Sequence, residues 1–305
     1  MNIIVTGGAG YKGVMLVREL LKLGHYVTLL DNFMYGYQPV LHLVTEPHLT
    51  IRSLDIRNLS ANDISKADVV FHLAGISGMP ACAANPHSAE VINVLATKKL
   101  ASLLGNEQLL VFASTTSIYG ASEDGCDEVS KINPPSLYAK TKYEAEQAVM
   151  DRENSIALRF ATVFGVSTRM RVDLIVNDFI YRAAYERSLV LFDGHSKRAC
   201  MHISDAIDGY LFALEHAGQM HNNVFNVGDE GLNYSKRDIA NAIGRFVDFE
   251  IIDSSMPDLD NRNFLVSFEK IRSLGYKVRY SLDDGIRELL KLYSFYKAYS
   301  SFGII

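Results

Sequence analysis

Along the first half of the chain, short apolar runs rich in β-branched residues alternate with stretches of helical period. Residues 3–6, 26–30, 69–73 and 109–113 read as strands, and residues 14–23 and 88–104 as helices between them. Strands that alternate with helices of this length imply right-handed crossovers and a parallel sheet. Pro134 and Pro135 break the pattern before a helix over 138–150, and 156–160 follows as the next buried strand. The pattern predicts an α/β fold, a Rossmann-type doubly wound parallel sheet with a smaller C-terminal substrate-binding lobe. The nucleotide-binding domain spans 1–165, with later segments such as 199–227 returning to it. Residues 166–305 form mainly the lobe, with a helix over 174–187, a strand over 189–192 and a final amphipathic helix over 282–296. No internal repeat or low-complexity linker separates the two.

Composition narrows the choice of partners. A chain of 305 residues with 48% hydrophobic content can bury a large core. Its formal charge of −5 and the absence of a Lys/Arg run leave no footprint for a nucleic-acid backbone. Cys82, Cys126 and Cys200 are odd in number and share no Cys-x-x-Cys spacing, which suits neither a disulfide framework nor a zinc site. The nine histidines show no ligand spacing, so no metal is expected. The chain opens directly into its first strand, with no leader and no apolar run long enough for a membrane span. The expectation is a cytoplasmic protein with no membrane partner.

Thr6-Gly7-Gly8-Ala9-Gly10-Tyr11-Lys12-Gly13 lies between the first strand and the first helix. Gly7 permits a tight turn, Gly10 lets backbone N–H groups approach a pyrophosphate, and Gly13 allows close helix packing. Asp31 ends the second strand, where a carboxylate accepts hydrogen bonds from an adenosine ribose diol and repels a 2′-phosphate. NAD is thus expected in preference to NADP. The alternative, that Asp31-Asn32 merely closes a strand as a turn pair, is the weaker account beside the glycine turn. Lys12 stands where a hydrophobic residue would pack, and either reaches the pyrophosphate or turns outward to solvent.

Tyr138 and Lys142 fall one turn apart on one helix face. A phenol of ordinary pKa about 10 must approach 7 to act as a base, a change of roughly 4 kcal/mol. An ammonium at about 4 Å in water supplies only about 1 kcal/mol. The pair therefore needs a shielded cleft and the help of a positive nicotinamide ring. Upstream, Ser114-Thr115-Thr116-Ser117 follows the strand 109–113, where hydroxyls face the ligand crevice. Thr116 and Ser117 also read as plain turn residues.

Together these features resemble the extended short-chain dehydrogenase/reductase superfamily, in its NAD-dependent nucleotide-sugar epimerase/dehydratase family. The match covers most of the chain. Beyond the glycine turn and Asp31 it takes in Asp55-Ile56, His72-Leu73-Ala74-Gly75, Asn93, Ser114-Thr115 before Tyr119-Gly120, and Tyr138 with Lys142. Farther on come Leu158-Arg159-Phe160, Arg198 before Asp205, and Asn226-Val227-Gly228. The resemblance implies that Tyr138 is the acid/base, that Lys142 binds the nicotinamide ribose and lowers the Tyr138 pKa, and that Thr115 hydrogen-bonds the reacting sugar oxygen. It assigns NAD to Gly7, Gly10, Tyr11, Lys12, Gly13, Asp31, Asn32, Asp55, Ile56, Leu73, Ala74, Gly75, Asn93, Ser114, Tyr138 and Lys142. A nucleoside-diphosphate sugar would meet Thr115, Thr116, Thr162, Asn177, Arg198 and Arg262, with surface ion pairing the alternative for Arg262. Relatives pair through the helix of Tyr138 and its neighbour around 88–104, which implies a homodimer.

Two departures shape the expected reaction. The family's 4,6-dehydratases carry Asp-Glu after the catalytic Ser or Thr, whereas this chain has Thr116-Ser117, hydroxyls that do not titrate near neutrality. Thr162 stands where many members have Asn. Residues 169–179 resemble a bacterial subgroup of capsule and lipopolysaccharide sugar pathways, some of whose members act at C4 of GDP-linked heptoses. The expectation is redox at C4 of a nucleoside-diphosphate sugar through a 4-keto intermediate, as an epimerase in surface-polysaccharide synthesis. A one-way 4-dehydrogenase or 4-keto reductase is the alternative, and a non-catalytic NAD-binding scaffold or redox sensor the second.

Overall fold

The computed structural model describes residues 1–122, 125–256, 258 and 263–297. Seven strands form the central sheet: β1 (Asn2–Thr6), β2 (Tyr26–Asp31), β3 (Leu49–Ser53), β4 (Val69–His72), β5 (Leu109–Thr115), β6 (Ser155–Phe160) and, from later in the chain, β10 (Asn223–Val227). Their order is β10-β6-β5-β4-β1-β2-β3, and every neighbouring pair is parallel. The order reverses between β1 and β4, which opens a crevice at the strand C-terminal ends.

Continuous apolar runs are what a two-sided sheet requires. In β5, Leu109, Val111 and Ala113 enter the core on one face, while Leu110 and Phe112 enter the core on the other. Against these faces pack helices α1 (Gly13–Lys22), α2 (Ala96–Leu103), α3 (Leu137–Met150) and α5 (Ile203–Glu215). The stretch expected as one helix over 88–104 contains a π-helical turn, Glu90–Leu95, before α2.

The remaining strands lie outside this sheet. β7 (Thr162–Phe164) and β11 (Asn233–Ser235) flank β9 (Lys197–His202), and β8 (Ser188–Phe192) pairs with β12 (Glu250–Ser254). With α4 (Ile175–Tyr185), α6 (Lys236–Gly244) and α7 (Leu282–Tyr293) they enclose a second core around Ile180, Leu189, Ile243 and Leu289. The last helix ends at Tyr293, three residues short of the sequence expectation. The lobe is fastened directly to the glycine turn. The Tyr11 hydroxyl donates to the Gly165 carbonyl at 2.7 Å, and the Ser167 hydroxyl donates to the Tyr11 carbonyl at 2.8 Å.

Candidate active site

The turn after β1 is built to admit a ligand against bare backbone. Gly7 has φ +68°, and a Cβ there would come within 2.7 Å of the Ala74 nitrogen. A Cβ on Gly13 would run into the Gly7 carbonyl oxygen. Asp31 folds over this turn, accepting from Ala9 N–H at 3.0 Å and from Phe33 N–H at 2.9 Å. Burial raises its pKa against the pull of those donors. Gly7, Gly10, Asp31, Asn32, Asp55, Ile56, Leu73, Ala74 and Gly75 all line one hollow of about 120 Å³. Asp55 is fixed there by Arg57 and Asn32, which hold its carboxyl well below the usual range.

This hollow continues past Gly7, Gly10, Leu73 and Gly75 into a second of about 150 Å³, walled also by Tyr11, Lys12, Gly13, Ser114, Tyr138 and Lys142. The second in turn opens into a cavity of about 710 Å³. Tyr11, Lys12, Ser114 and Tyr138 belong to both, and the cavity adds Thr115, Ser117, Thr162 and Arg198. A single trough thus runs from the Asp31 end, along the glycine turn, to a wall of hydroxyls. Its shape fits a dinucleotide with a second molecule beyond it.

Tyr138 lies in the first turn of α3, whose N-cap Ser136 accepts from Ala139 N–H at 3.2 Å. Tyr138 thus belongs to the turn at the positive end of the helix. Lys142, one turn on, is buried with its Nζ 3.9 Å from the Phe112 ring centroid. Burial pulls its pKa down to about 7, opposed by the Glu146 carboxylate. Glu146 anchors the same helix to the sheet. Its carboxylate accepts from the Ser114 hydroxyl at 2.6 Å and pairs with Arg159 at 2.6 Å, both partners buried. Arg159 donates on to Tyr119, whose hydroxyl donates to Asn226 at 2.7 Å. The separated motifs around Tyr119, Arg159 and Asn226 are thus one buried network beneath the reactive wall. Nothing in the sequence reading singled out Glu146, although it continues the Tyr138–Lys142 face.

Three residues take places other than those expected. After Thr115 the chain enters a 3-10 turn, Thr116–Ile118, that swings the Thr116 hydroxyl onto the Phe160 carbonyl at 3.2 Å. Ser117, not Thr116, faces the cavity, and its N–H donates to Thr115 Oγ1 at 3.1 Å. Asn177 is fully buried. Its amide accepts from Gly165 N–H at 3.0 Å and donates to the Arg171 carbonyl at 2.8 Å, so it braces the inter-lobe segment and is not part of the cavity lining. Asn93 likewise sits behind the cradle. It accepts from Ile76 N–H and donates to the Ile76 carbonyl and to Thr141 Oγ1, tying the loop after β4 to α3. Lys12 neither turns outward nor packs as an aliphatic chain, because its Nζ lies 4.1 Å from the Phe160 centroid, inside the cavity wall. Arg262 lies outside the described residues.

Comparison with known proteins agrees with this geometry. The model of the NAD dependent epimerase/dehydratase family matches residues 3–228. A Bacillus subtilis protein named as an uncharacterized UDP-glucose epimerase, YtcB, is 32% identical over 235 residues, covering 70% of this chain and 72% of its own. UDP-glucuronic acid decarboxylase 1 of Arabidopsis thaliana is 26% identical over 310 residues, covering 95% of this chain and 69% of its own. The fold matches the crystal structure of UDP-glucuronic acid 4-epimerase from Bacillus cereus, with a TM-score of 0.83, 24% identity and coverage of 96% and 99% of the two chains. With a cradle that fits a dinucleotide and a family match over most of its length, the chain belongs to the NAD dependent epimerase/dehydratase family and is an NAD-dependent enzyme.

Proposed function

We propose that the protein oxidises and re-reduces C4 of a nucleoside-diphosphate sugar through a 4-keto intermediate, as an epimerase in bacterial surface-polysaccharide synthesis. The observation that carries this reading is that Tyr138, Thr115 and Ser117 line one cavity, beside the hollow that holds Lys142. The glycine turn, Asp31 and Lys142 would hold NAD, which would supply a hydride acceptor and donor there. Tyr138 takes the proton from the sugar hydroxyl and later returns it. Thr115, fixed by Ser117, hydrogen-bonds the reacting oxygen. Arg198, buried in β9 at the cavity edge, suits a diphosphate through its guanidinium fork.

The carboxylates around the cavity support redox over elimination. Asp173 is paired with Arg171 at 2.6 Å, Asp178 with Arg182 at 2.8 Å, and Asp258 with Lys236. Each is already engaged by a cation, and the wall next to Tyr138 presents hydroxyls. The names of the relatives place nucleotide sugars, UDP-glucose and UDP-glucuronic acid among them, in the expected substrate class. A homodimer through α3 and the helical stretch around 88–104 belongs to the same reading, and sedimentation equilibrium reads it directly.

The test is incubation with NAD and a panel of UDP-, GDP-, CDP- and dTDP-sugars, followed by mass spectrometry and NMR. An isomer or a ketone is expected, with the rate lowered at least about a hundredfold in Tyr138→Phe. Loss of water, loss of carbon dioxide, or an undiminished rate in the variant would overturn the proposal.

A further inference from the structure

Lys12 stands in the glycine turn between Tyr11 and Gly13. Its Nζ lies 4.1 Å from the Phe160 ring centroid and 5.4 Å from that of Tyr210. Aromatic faces attract a cation without neutralising it. The groups that surround Lys12 come from several elements. Helix α3 presents Tyr138 and Lys142, the segment before α4 presents Arg171, α5 presents Tyr210 and β6 presents Phe160. Burial above all, joined by repulsion from Lys142 and Arg171, brings the Lys12 pKa down to about 7. Among the described residues no carboxylate is paired with it.

Its place in the trough is equally specific. The reacting end of a bound dinucleotide must lie where Tyr138 can also reach the substrate, which is the overlap of the second hollow with the large cavity. Lys12 belongs to that overlap, together with Ser114 and Tyr138. A nicotinamide ring carries a positive charge when oxidised and none when reduced. A like charge in a site shielded from water is repelled far more strongly than in solvent.

From this placement we propose that Lys12 tunes the cofactor: it makes the site bind NADH more tightly than NAD⁺, and its ammonium releases a proton to solvent when NAD⁺ binds. The balance is simple. Protonated enzyme and NAD⁺ give the neutral-amine complex and one proton, whereas NADH binds with the ammonium intact. The inference rests on the cofactor and on no particular sugar, so it can fail while the C4 reading stands, and the reverse.

Calorimetric titration of the nucleotide-free protein with NAD⁺ and with NADH, in buffers of different ionisation enthalpy, measures both affinities and the protons released. In the wild type the Kd for NAD⁺ should exceed that for NADH by about tenfold near pH 6, and the ratio should shrink toward pH 8 as the amine loses its charge. Lys142 titrates in the same range, so the difference between wild type and variant is what counts. Lys12→Met should tighten NAD⁺ about tenfold near pH 6, leave NADH unchanged, and lose the Lys12 share of the released proton. Lys12→Arg, which keeps its charge, should bind NAD⁺ weakly across the whole range. The proposal is overturned if Lys12→Met shows the wild-type ratio and proton count, or if Lys12→Arg binds NAD⁺ as tightly as wild type near pH 8.

Discussion

His72 shows how a single buried side chain can set a pH limit on the fold. Thr97 spends its hydroxyl proton on the Asn93 carbonyl, so it accepts from His72 Nε2–H at 2.8 Å, and Thr6 donates to His72 Nδ1 at 2.7 Å. A proton on Nδ1 would set two donors against each other. Burial, helped by Lys142, brings the His72 pKa down to about 3. Between the ordinary value near 6.5 and about 3, the unfolded chain binds a proton that the folded chain refuses. Stability is therefore lost as pH falls through that window, by about 1 kcal/mol per pH unit from this residue. His72→Gln should flatten the urea-derived stability profile below pH 6 by about that slope, and an unchanged profile would show that His72 already titrates in the native state. At this scale the close backbone packing at Gly7 and Gly13 was legible in the sequence, as was the placement of Asp31, Tyr138 and Lys142 along one trough. The placement of Thr116 and Ser117 was not, because a tight turn directly after a strand changes which side chain faces the crevice, and strand periodicity does not foretell that change.

Elements carry a second layer of the design. Helix α3 brings Tyr138 and Lys142 to the cavity, and the Glu146–Arg159 pair fixes its distance from β5 and β6. Removing one partner of a buried pair typically costs about 3–5 kcal/mol, because the other charge is left uncompensated. Glu146→Gln should lower stability by about that amount and slow turnover through displacement of α3. Denaturant titration beside steady-state kinetics reads both. The signal in the sequence was a carboxylate continuing the Tyr138–Lys142 face and an arginine inside the apolar run 156–160; each contradicts its surroundings alone, and together they satisfy each other. The glycine turn offers a converse test. Gly13→Ala must displace the Gly7 carbonyl, so NAD binding should weaken at least about tenfold while the far lobe keeps its packing. The strands of the central sheet before residue 165 were readable from apolar runs except β3, whose partly exposed Leu49-Thr50-Ile51-Arg52-Ser53 lacks a continuous apolar signal. β7, β9, β11 and β12 were missed because each is short or carries polar and charged residues that only their partners explain.

At the scale of the whole molecule the two cores are joined through the glycine turn itself, since Tyr11 and Ser167 bond across the boundary. A ligand on that turn lies against this contact, so cofactor binding should stabilise both cores together. Thermal unfolding with saturating NAD should shift as one transition; two transitions, with only one shifted, would show the lobes to be independent. The sheet topology has a further consequence for anyone wishing to exchange substrate lobes between relatives. Strand β10 completes the central sheet beside β6, yet it enters the chain only after α4, β8 and β9 have built part of the lobe. A cut after residue 165 would strip the β6 edge of its neighbour and expose Phe160 and Leu158. A transplant therefore needs more than one splice point, and a graft that treats everything after residue 165 as a simple C-terminal tail will carry away a strand of the central sheet with it.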